Sequence, residues 1–362
     1  MTADPKVTPE HFAETEELKA TVRSLERRLR LSQAKTHDLD GAAAERDELQ
    51  RRLAVTGRIG ARDITVPRWM ATKAQRSTFH ATPTLLLTDT HFDEVVLPEQ
   101  IDWLNAYNRK IAKQRFHRCI ETTIMLAREF LTGLTYDGFL LMVGGDIFSG
   151  IIHQELRETN EVPILKSVAY WEDELAAGLD RLATEFSKLH VACTYGNHAR
   201  QSIKPIAKNR AWDTFEWLMY THLAKHFAGS KAITFQIPDG PDCLVQSYGT
   251  RYLLTHGDQF RGGSGISGSM TPLMLGSYRK TRRAMSAGKP YDIMVLGHRH
   301  EYVWLPSYGI ITGASLVGYN EYAYQHNFGF EEANQAFWVA TPEHGVTFPM
   351  QVYVQDRKAE GW

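Results

Sequence analysis

The chain has 362 residues, 43% hydrophobic and 23% charged, with a formal net charge of -1. That length supports a sizeable core, and the near-neutral balance excludes a globally basic nucleic-acid or membrane-surface binder, so any polyanion contact must be local. Three scattered cysteines, Cys119, Cys193 and Cys243, give no disulfide framework and predict a reducing, cytoplasmic setting. The N-terminus lacks a basic start followed by an apolar core, and no run approaches the roughly 18 apolar residues of a membrane helix.

Residues 1–55 are rich in Glu, Arg, Ala and Leu. Leu18, Val22, Leu25 and Leu29 alternate by four and three, which predicts a charged helical arm with a short coiled-coil seam. Self-association through it would make a homo-oligomer; a solvated arm is the alternative. Residues 56–82, with Gly57, Gly60 and Pro67, read as a connector. A globular domain is expected over 83–356, with a tail at 357–362. Within the domain the pattern predicts a strand at TLLLTD, a helix from Pro98 to Phe130, strand FLLMV, a helix from Leu165 to Leu189, strand HVACTY and a helix from Ala211 to His226. Short strands ITFQI, CLVQSY and RYLLTH follow. After them come a glycine-rich loop, a basic helix, strand DIMVL and a strand-rich end. The fold class is α/β, two β-sheets in a sandwich flanked by helices.

Five apolar runs end in metal-binding residue types: TLLLTDTH, FLLMVGGD, HVACTYGNH, RYLLTHGD and DIMVLGHRH. Ligands in open α/β sheets bind beyond the carboxyl ends of strands. Asp89, His91, Asp146, Asn197, His256, His298 and His300 should therefore meet at one sheet edge. Seven donors suit two ions, with Asp146 the natural bridge. Two metals roughly 3.5–4 Å apart can clamp a phosphoryl group. Four imidazoles favour manganese, with iron, zinc or nickel as alternatives, over magnesium alone.

The ordered set DTH, GGD, GNH, THGD and GHRH resembles the signature of calcineurin-like metallophosphoesterases, over about Thr84 to Glu301. The resemblance implies a double-sheet sandwich with Asp89, His91, Asp146 and His300 at one metal. It puts Asp146, Asn197, His256 and His298 at the other, and His198 outside the metal shell near the phosphate or leaving group. GGDIF and GHRHE look most like double-strand-break repair nucleases of the SbcD type, and the whole pattern is also similar to phage-encoded phosphoesterases. GGDIFSG lacks the second Asp and the Arg of the protein-phosphatase branch. The residue after GNH, usually acidic in the family, is Ala199, followed by Arg200. Asp93 or Glu94 could orient His198 instead, or His198 could act as a hydrogen-bond donor.

These features predict a two-metal phosphodiesterase acting on DNA, with a metal-activated hydroxide attacking phosphorus in line. A phosphomonoesterase or small-nucleotide phosphodiesterase is the runner-up. A binding or assembly subunit with a weak catalytic site is the third reading. Arg200, Arg279, Arg282 and Arg283 are the candidate phosphate-binding residues, with Lys204, Lys208 and Arg210 extending the surface. The segment RGGSGISGS at 261–269 is a candidate substrate loop. Asp258 is expected as a loop acceptor, Glu301 as a partner of a ligand histidine or a surface charge, and His153 and His190 as ordinary histidines.

Overall fold

The structure, a computed structural model, describes residues 67–71, 79–260 and 270–362, together with Val22. Leu18, Leu25 and Leu29 of the heptad seam, most of the connector and the glycine-rich loop 261–269 lie outside the described residues. The chain divides into two units, Met1–Ala61 with Met285–Lys289, and Arg62–Ala284 with Pro290–Trp362. Both sheets lie in the second.

The first sheet has the order β12-β11-β1-β3-β4-β5, with β2 beside β1. Its strands are β1 His80–Leu87, β2 Thr135–Tyr136, β3 Phe139–Val143, β4 Leu189–Cys193, β5 Ile233–Gln236, β11 Asn334–Thr341 and β12 Gly345–Tyr353. β1, β3, β4 and β5 run parallel, whereas β11 and β12 are antiparallel. The second sheet has the order β6-β7-β8-β10-β9. It is made of β6 Asp242–Ser247, β7 Thr250–Thr255, β8 Ile293–Leu296, β9 Val303–Leu305 and β10 Ile310–Thr312, with β7, β8 and β10 parallel.

Side-chain alternation sorts the runs into layers. In β1, Leu85 and Leu87 join the core beneath the helices Arg109–Met125, Ile164–Phe186 and Phe215–His226. Leu86, between them, faces the other way and packs with Tyr252, Leu254, Val295 and Ile311 of the second sheet. Leu253, Met294 and Leu296 then cover the outer face of that sheet together with Leu273 of the helix Met270–Ser286. Strands buried on both faces read as unbroken apolar runs, which is why these segments show little period-two polarity. The result is the α/β sandwich that the sequence predicts, helix–sheet–sheet–helix.

Several boundaries differ from expectation, each for a local reason. β1 begins at His80, inside the stretch read as connector. The helix expected from Pro98 starts at Arg109, because Asn108 caps it by accepting from Ile111 N at 3.0 Å. Asp102 and Trp103 hold positive φ before it. Ser187, in the left-handed region, ends the next helix at Phe186. Residues 357–362 are not a loose tail. Arg115, fully buried, forks onto Glu360 at 3.0 and 2.9 Å, and Trp362 packs against the helix-covered core. No described helix is long and apolar enough to cross a membrane.

Candidate metal centre

β1, β3 and β4 of one sheet and β7 and β8 of the other run parallel within their sheets, and the turn after each carries one motif. The turns interlock through backbone bonds. Asp89 N donates to Gly145 O at 3.0 Å, His91 N to Asp146 O at 3.1 Å, and Gly297 N to His256 O at 3.1 Å. Five motifs far apart in sequence thus share one edge of the sandwich.

Three overlapping donor groups result, each with ligand atoms within 4.8 Å of one another: Asp89, His91 and His300; His91, Asp146 and His198; Asp146, His256 and His298. The first and third each bring together three of the four residues expected at one metal, and Asp146 is in reach of both His91 and His256. Asn197, on the turn that carries His198, has a buried Oδ1 with no hydrogen-bond partner. His256 Nε2 likewise makes no hydrogen bond, although it lies 2.9 Å from Asp146 Oδ2. His91 Nε2 and His300 Nε2 face each other at 3.1 Å. Lone-pair atoms at such separations are what co-ligands of one ion show, since metal–nitrogen bonds of about 2.1 Å put cis ligands about 3 Å apart. Orphaned acceptors in a buried polar cluster are otherwise costly. The donor set therefore fits two divalent cations.

The glycines of the motifs have a steric reason. A Cβ on Gly196 would lie 2.0 Å from Asp146 Oδ1, and one on Gly297 would lie 2.2 Å from Asp89 Oδ2. Each glycine precedes a ligand and lets its turn close against the carboxylate of another motif. Outside the donors, Thr88 Oγ1 donates to Asp89 Oδ2 at 2.7 Å, and His298 N donates to Asp89 Oδ2 at 2.9 Å. Glu94 faces His91 Nδ1 at 3.3 Å and accepts from Asn320 Nδ2 at 2.8 Å. His256 Nδ1 donates to Gly144 O at 2.9 Å, which leaves Nε2 as the coordinating nitrogen.

His198 is set the same way. Its Nδ1 donates to Ser149 O at 2.9 Å, and its backbone N donates to Asp146 Oδ1 at 2.8 Å. A carbonyl, not an acid, orients it. Asp93 is instead occupied by Arg109 at 2.7 Å and Trp171 Nε1 at 3.1 Å, and by Ser167. The distances place His198 within ligand reach of His91 and Asp146, closer to the centre than a purely outer position.

Two residues escaped the sequence reading. Glu216, fully buried, accepts from Ile147 N at 2.6 Å and Gly196 N at 2.7 Å, and so ties the GGD turn to the GNH turn. Gln335 on β11 clasps Thr88 through both its backbone groups, at 2.7 and 3.1 Å. Neither belongs to a motif, and a helix Glu or strand Gln carries no signal until the chain is folded.

The electrostatics are those of a cluster short of positive charge. Burial disfavours protonated His91 and His256, yet Glu94 with Asp146 and Asp89 holds His91 up at about 9, and Asp146 with Asp89 holds His256 up at about 10. Burial lowers His198 and His298 to about 4, with His91 and His256 respectively adding to it. Burial works against ionised Asp146, but His256, His198 and His91 keep its carboxyl well below the usual range. Burial and the Asp146 charge hold Glu216 up at about 7. Divalent cations would give the carboxylates the same counter-charge without protons.

The candidate phosphate contacts fare less well. Arg200 spends its guanidinium on three carbonyls, Ser202 O at 2.9 Å, Asn197 O at 2.8 Å and Ile203 O at 2.8 Å, and acts as a staple for its own loop. Arg283 pairs with Asp242. The neighbouring Lys280 is buried against Asp242 and Thr255 Oγ1, and burial lowers it to about 8. Arg282 lies over the Tyr278 ring at 5.7 Å. Two members of the basic run thus spend their charge on Asp242. Arg210 is tied to Asp258 at 2.5 Å, which confirms Asp258 as an acceptor. His190 bonds Thr234 inside the sheet. Glu301 gives its carbonyl to Thr312 Oγ1 at 2.5 Å.

No family model matches the chain, and no curated protein matches it. Among solved structures it is similar to a dimetal phosphatase from Danio rerio, at 10% identity and TM-score 0.35, over 76% of this chain and 99% of that one. It is similar to the Thermus thermophilus sulfate thiohydrolase SoxB in complex with glycerol, at 10% identity and TM-score 0.30, over 80% of this chain and 58% of that one. A protein from Staphylococcus aureus assigned as a 5′-nucleotidase, in complex with alpha-ketoglutarate, matches at 10% identity and TM-score 0.34, over 76% of this chain and 55% of that one. The chain spans little more than half the length of the last two.

Proposed function

We propose that the chain is a two-metal phosphoester hydrolase and, within that class, a phosphodiesterase of nucleic acid. One observation carries the reading: a largely buried set of Asp and His donors, overlapping in three groups, in which His256 Nε2 has no hydrogen-bond partner, with Asn197 Oδ1 buried and equally unpartnered on the turn that carries His198. Asp89, His91 and His300 would hold one ion, and Asn197, His256 and His298 the other, with Asp146 between them. When bound, such ions supply Lewis acidity and a water of lowered pKa. The chain's own contribution is orientation. Ser149 O fixes the proton of His198 on Nδ1 and leaves the Nε2 lone pair for the cluster, where it can accept a proton from water and, once protonated, donate to a leaving-group oxygen. Glu94, 3.3 Å from His91 Nδ1, faces that ring as a counter-charge. The motif details of GGDIF and GHRHE favour a phosphodiester.

Lys280 and Arg283 paired with Asp242, and Arg200 turned inward, favour the second reading, a phosphomonoesterase or small-nucleotide phosphodiesterase, because they shorten any polyanion track. The test is Mn-loaded protein on a phosphomonoester, a small diester, and single- and double-stranded DNA, with and without chelator. The expected result is chelator-sensitive cleavage of diester and DNA above monoester. Preference for the monoester would establish the second reading, and chelator-resistant turnover would overturn both.

A further inference from the structure

An aromatic lip stands beside the metal centre and has no role in holding metals. The segment 319–330, YNEYAYQHNFGF, carries six aromatic or imidazole rings that cluster on one another. Tyr322 and His326 lie 4.2 Å apart at 35°, Tyr322 and Phe328 6.0 Å, His326 and Phe328 5.9 Å, and Tyr319 and Phe330 5.6 Å between ring centroids. They are not core. Tyr322 is 63% exposed and Phe328 55%. Large aromatic groups left in water forgo their burial energy, and such a patch marks a contact surface.

Both ends of the lip are anchored next to ligands. At its start, Asn320 bonds Glu94, the partner of His91. At its end, Glu331 accepts from Tyr302 N at 3.0 Å, two residues beyond His300. Its root is rigid. Leu316 N donates to Asp89 O at 3.1 Å, Asn105 Nδ2 donates to Val317 O and Tyr319 O at 2.7 Å each, and buried Arg115 donates to Val317 O at 2.9 Å. A flexible loop would need none of this.

The chemistry of the lip selects the ligand. Between Val317 and Gln335 the sequence has no Lys or Arg and includes Glu321, Glu331 and Glu332. It is therefore no phosphate track. Arg299, between the ligands His298 and His300, has no hydrogen bond or ion pair among the described residues and offers phosphate the cation that the lip lacks. A ligand with phosphate at the metals and a flat, uncharged ring to one side is a nucleotide. We propose that Tyr322 and Phe328 form a stacking platform for a nucleobase flanking the scissile phosphate. The proposal rests on the reading of the substrate as nucleic acid and adds how it is held. Stacking on aromatic faces tolerates any base, because every base has a π-face.

The test uses the full Mn-loaded chain, a short oligothymidylate, and the same strand built from abasic units. The wild type should favour the strand with bases. Tyr322→Ala with Phe328→Ala should raise KM for oligothymidylate roughly tenfold with little change in kcat and leave the abasic strand unaffected, so that the preference disappears. Tyr322→Trp with Phe328→Trp should restore it. A preference that survives the double alanine variant overturns the platform, and so does an equal loss on both strands. Unchanged preference with a dimer lost on light scattering would make the patch a self-association surface. If the wild type cleaves phosphate monoesters but neither strand, the nucleic-acid reading itself fails.

Discussion

Glu216→Gln is the most informative substitution at the centre, because Glu216 touches no candidate ligand side chain and yet joins two ligand turns. Its carboxylate takes both Ile147 N and Gly196 N, at 2.6 and 2.7 Å. The first amide follows Asp146 and the second precedes Asn197. Above about pH 7, where Glu216 is ionised, hydrogen bonds to its charged acceptor are worth about 1.5–3 kcal/mol each, and a buried donor left without one costs about 1–3 kcal/mol. A glutamine keeps one acceptor oxygen and turns an N–H₂ against the other amide. Removing a buried charge gives part of the loss back, so a net destabilisation of about 2–3 kcal/mol is expected. The separation of the turns that carry Asp146 and Asn197 then relaxes, and groups that orient ligands typically change metal affinity by about 10–100-fold. Urea denaturation gives the stability and calorimetric Mn titration the affinity. Wild-type values for both would refute the idea that Glu216 spaces the two turns.

Three further outcomes follow from the same geometry. Gly196→Ala and Gly297→Ala each force a methyl onto a ligand carboxylate, at 2.0 and 2.2 Å; overpacking of about 1–3 kcal/mol should appear as a lowered Tm, and elemental analysis should find fewer than two Mn per chain. His198→Ala should keep its metal and lose turnover by roughly 10²–10⁴-fold, whereas loss of bound Mn would make His198 a ligand. Burial works against ionised Glu360, but the fork from Arg115 outweighs it and holds the carboxyl below its ordinary value; the bond is therefore fully present above the ordinary glutamate range near about 4.3 and is lost as pH falls through the lowered value, so a Glu360→Gln variant should show a shallower acid loss of stability than the wild type.

The gathering of Asp and His donors at one edge was legible because its signal is local. Each of Asp89, Asp146, Asn197, His256 and His298 follows an apolar run in sequence, and strand ends of a parallel sheet share an edge. The layers were legible for the same reason, since runs such as FLLMV need cover on both faces. What could not be read were relations between distant side chains. Arg200 looked available for phosphate, but its neighbours Asn197, Ser202 and Ile203 present three carbonyls to it once the loop closes. Arg283 looked available for phosphate until Asp242, 41 residues away, was brought against it and against the neighbouring Lys280. Glu216 and Gln335 act through backbone amides of other segments, and no residue type announces that in advance. The start of the first long helix was misplaced because Asn108, an ordinary residue in the run, is the cap.

The backbone of the centre argues that its geometry exists before any cation arrives. Asp89, His91, Asp146, His298 and His300 all lie in the left-handed region, with φ of 50, 45, 49, 69 and 54°. Each such residue costs about 1–2 kcal/mol relative to its relaxed conformation, and strain of that kind persists only where the surroundings over-determine it. Here they do: Asp89 N is held by Gly145 O, His91 N by Asp146 O, Asp89 O by Leu316 N, and His298 N by Asp89 itself. A site pinned by its own hydrogen bonds should bind metal without folding further. Loops that order on binding bury apolar surface and give a large negative heat-capacity change; a preformed site does not. Calorimetric Mn titrations at several temperatures should therefore show a heat-capacity change near zero, with hydrogen exchange at Asp89, His91 and His298 already slow in the metal-free chain. A large negative value, with fast exchange at those amides before metal is added, would mean that the cations build the turns rather than occupy them.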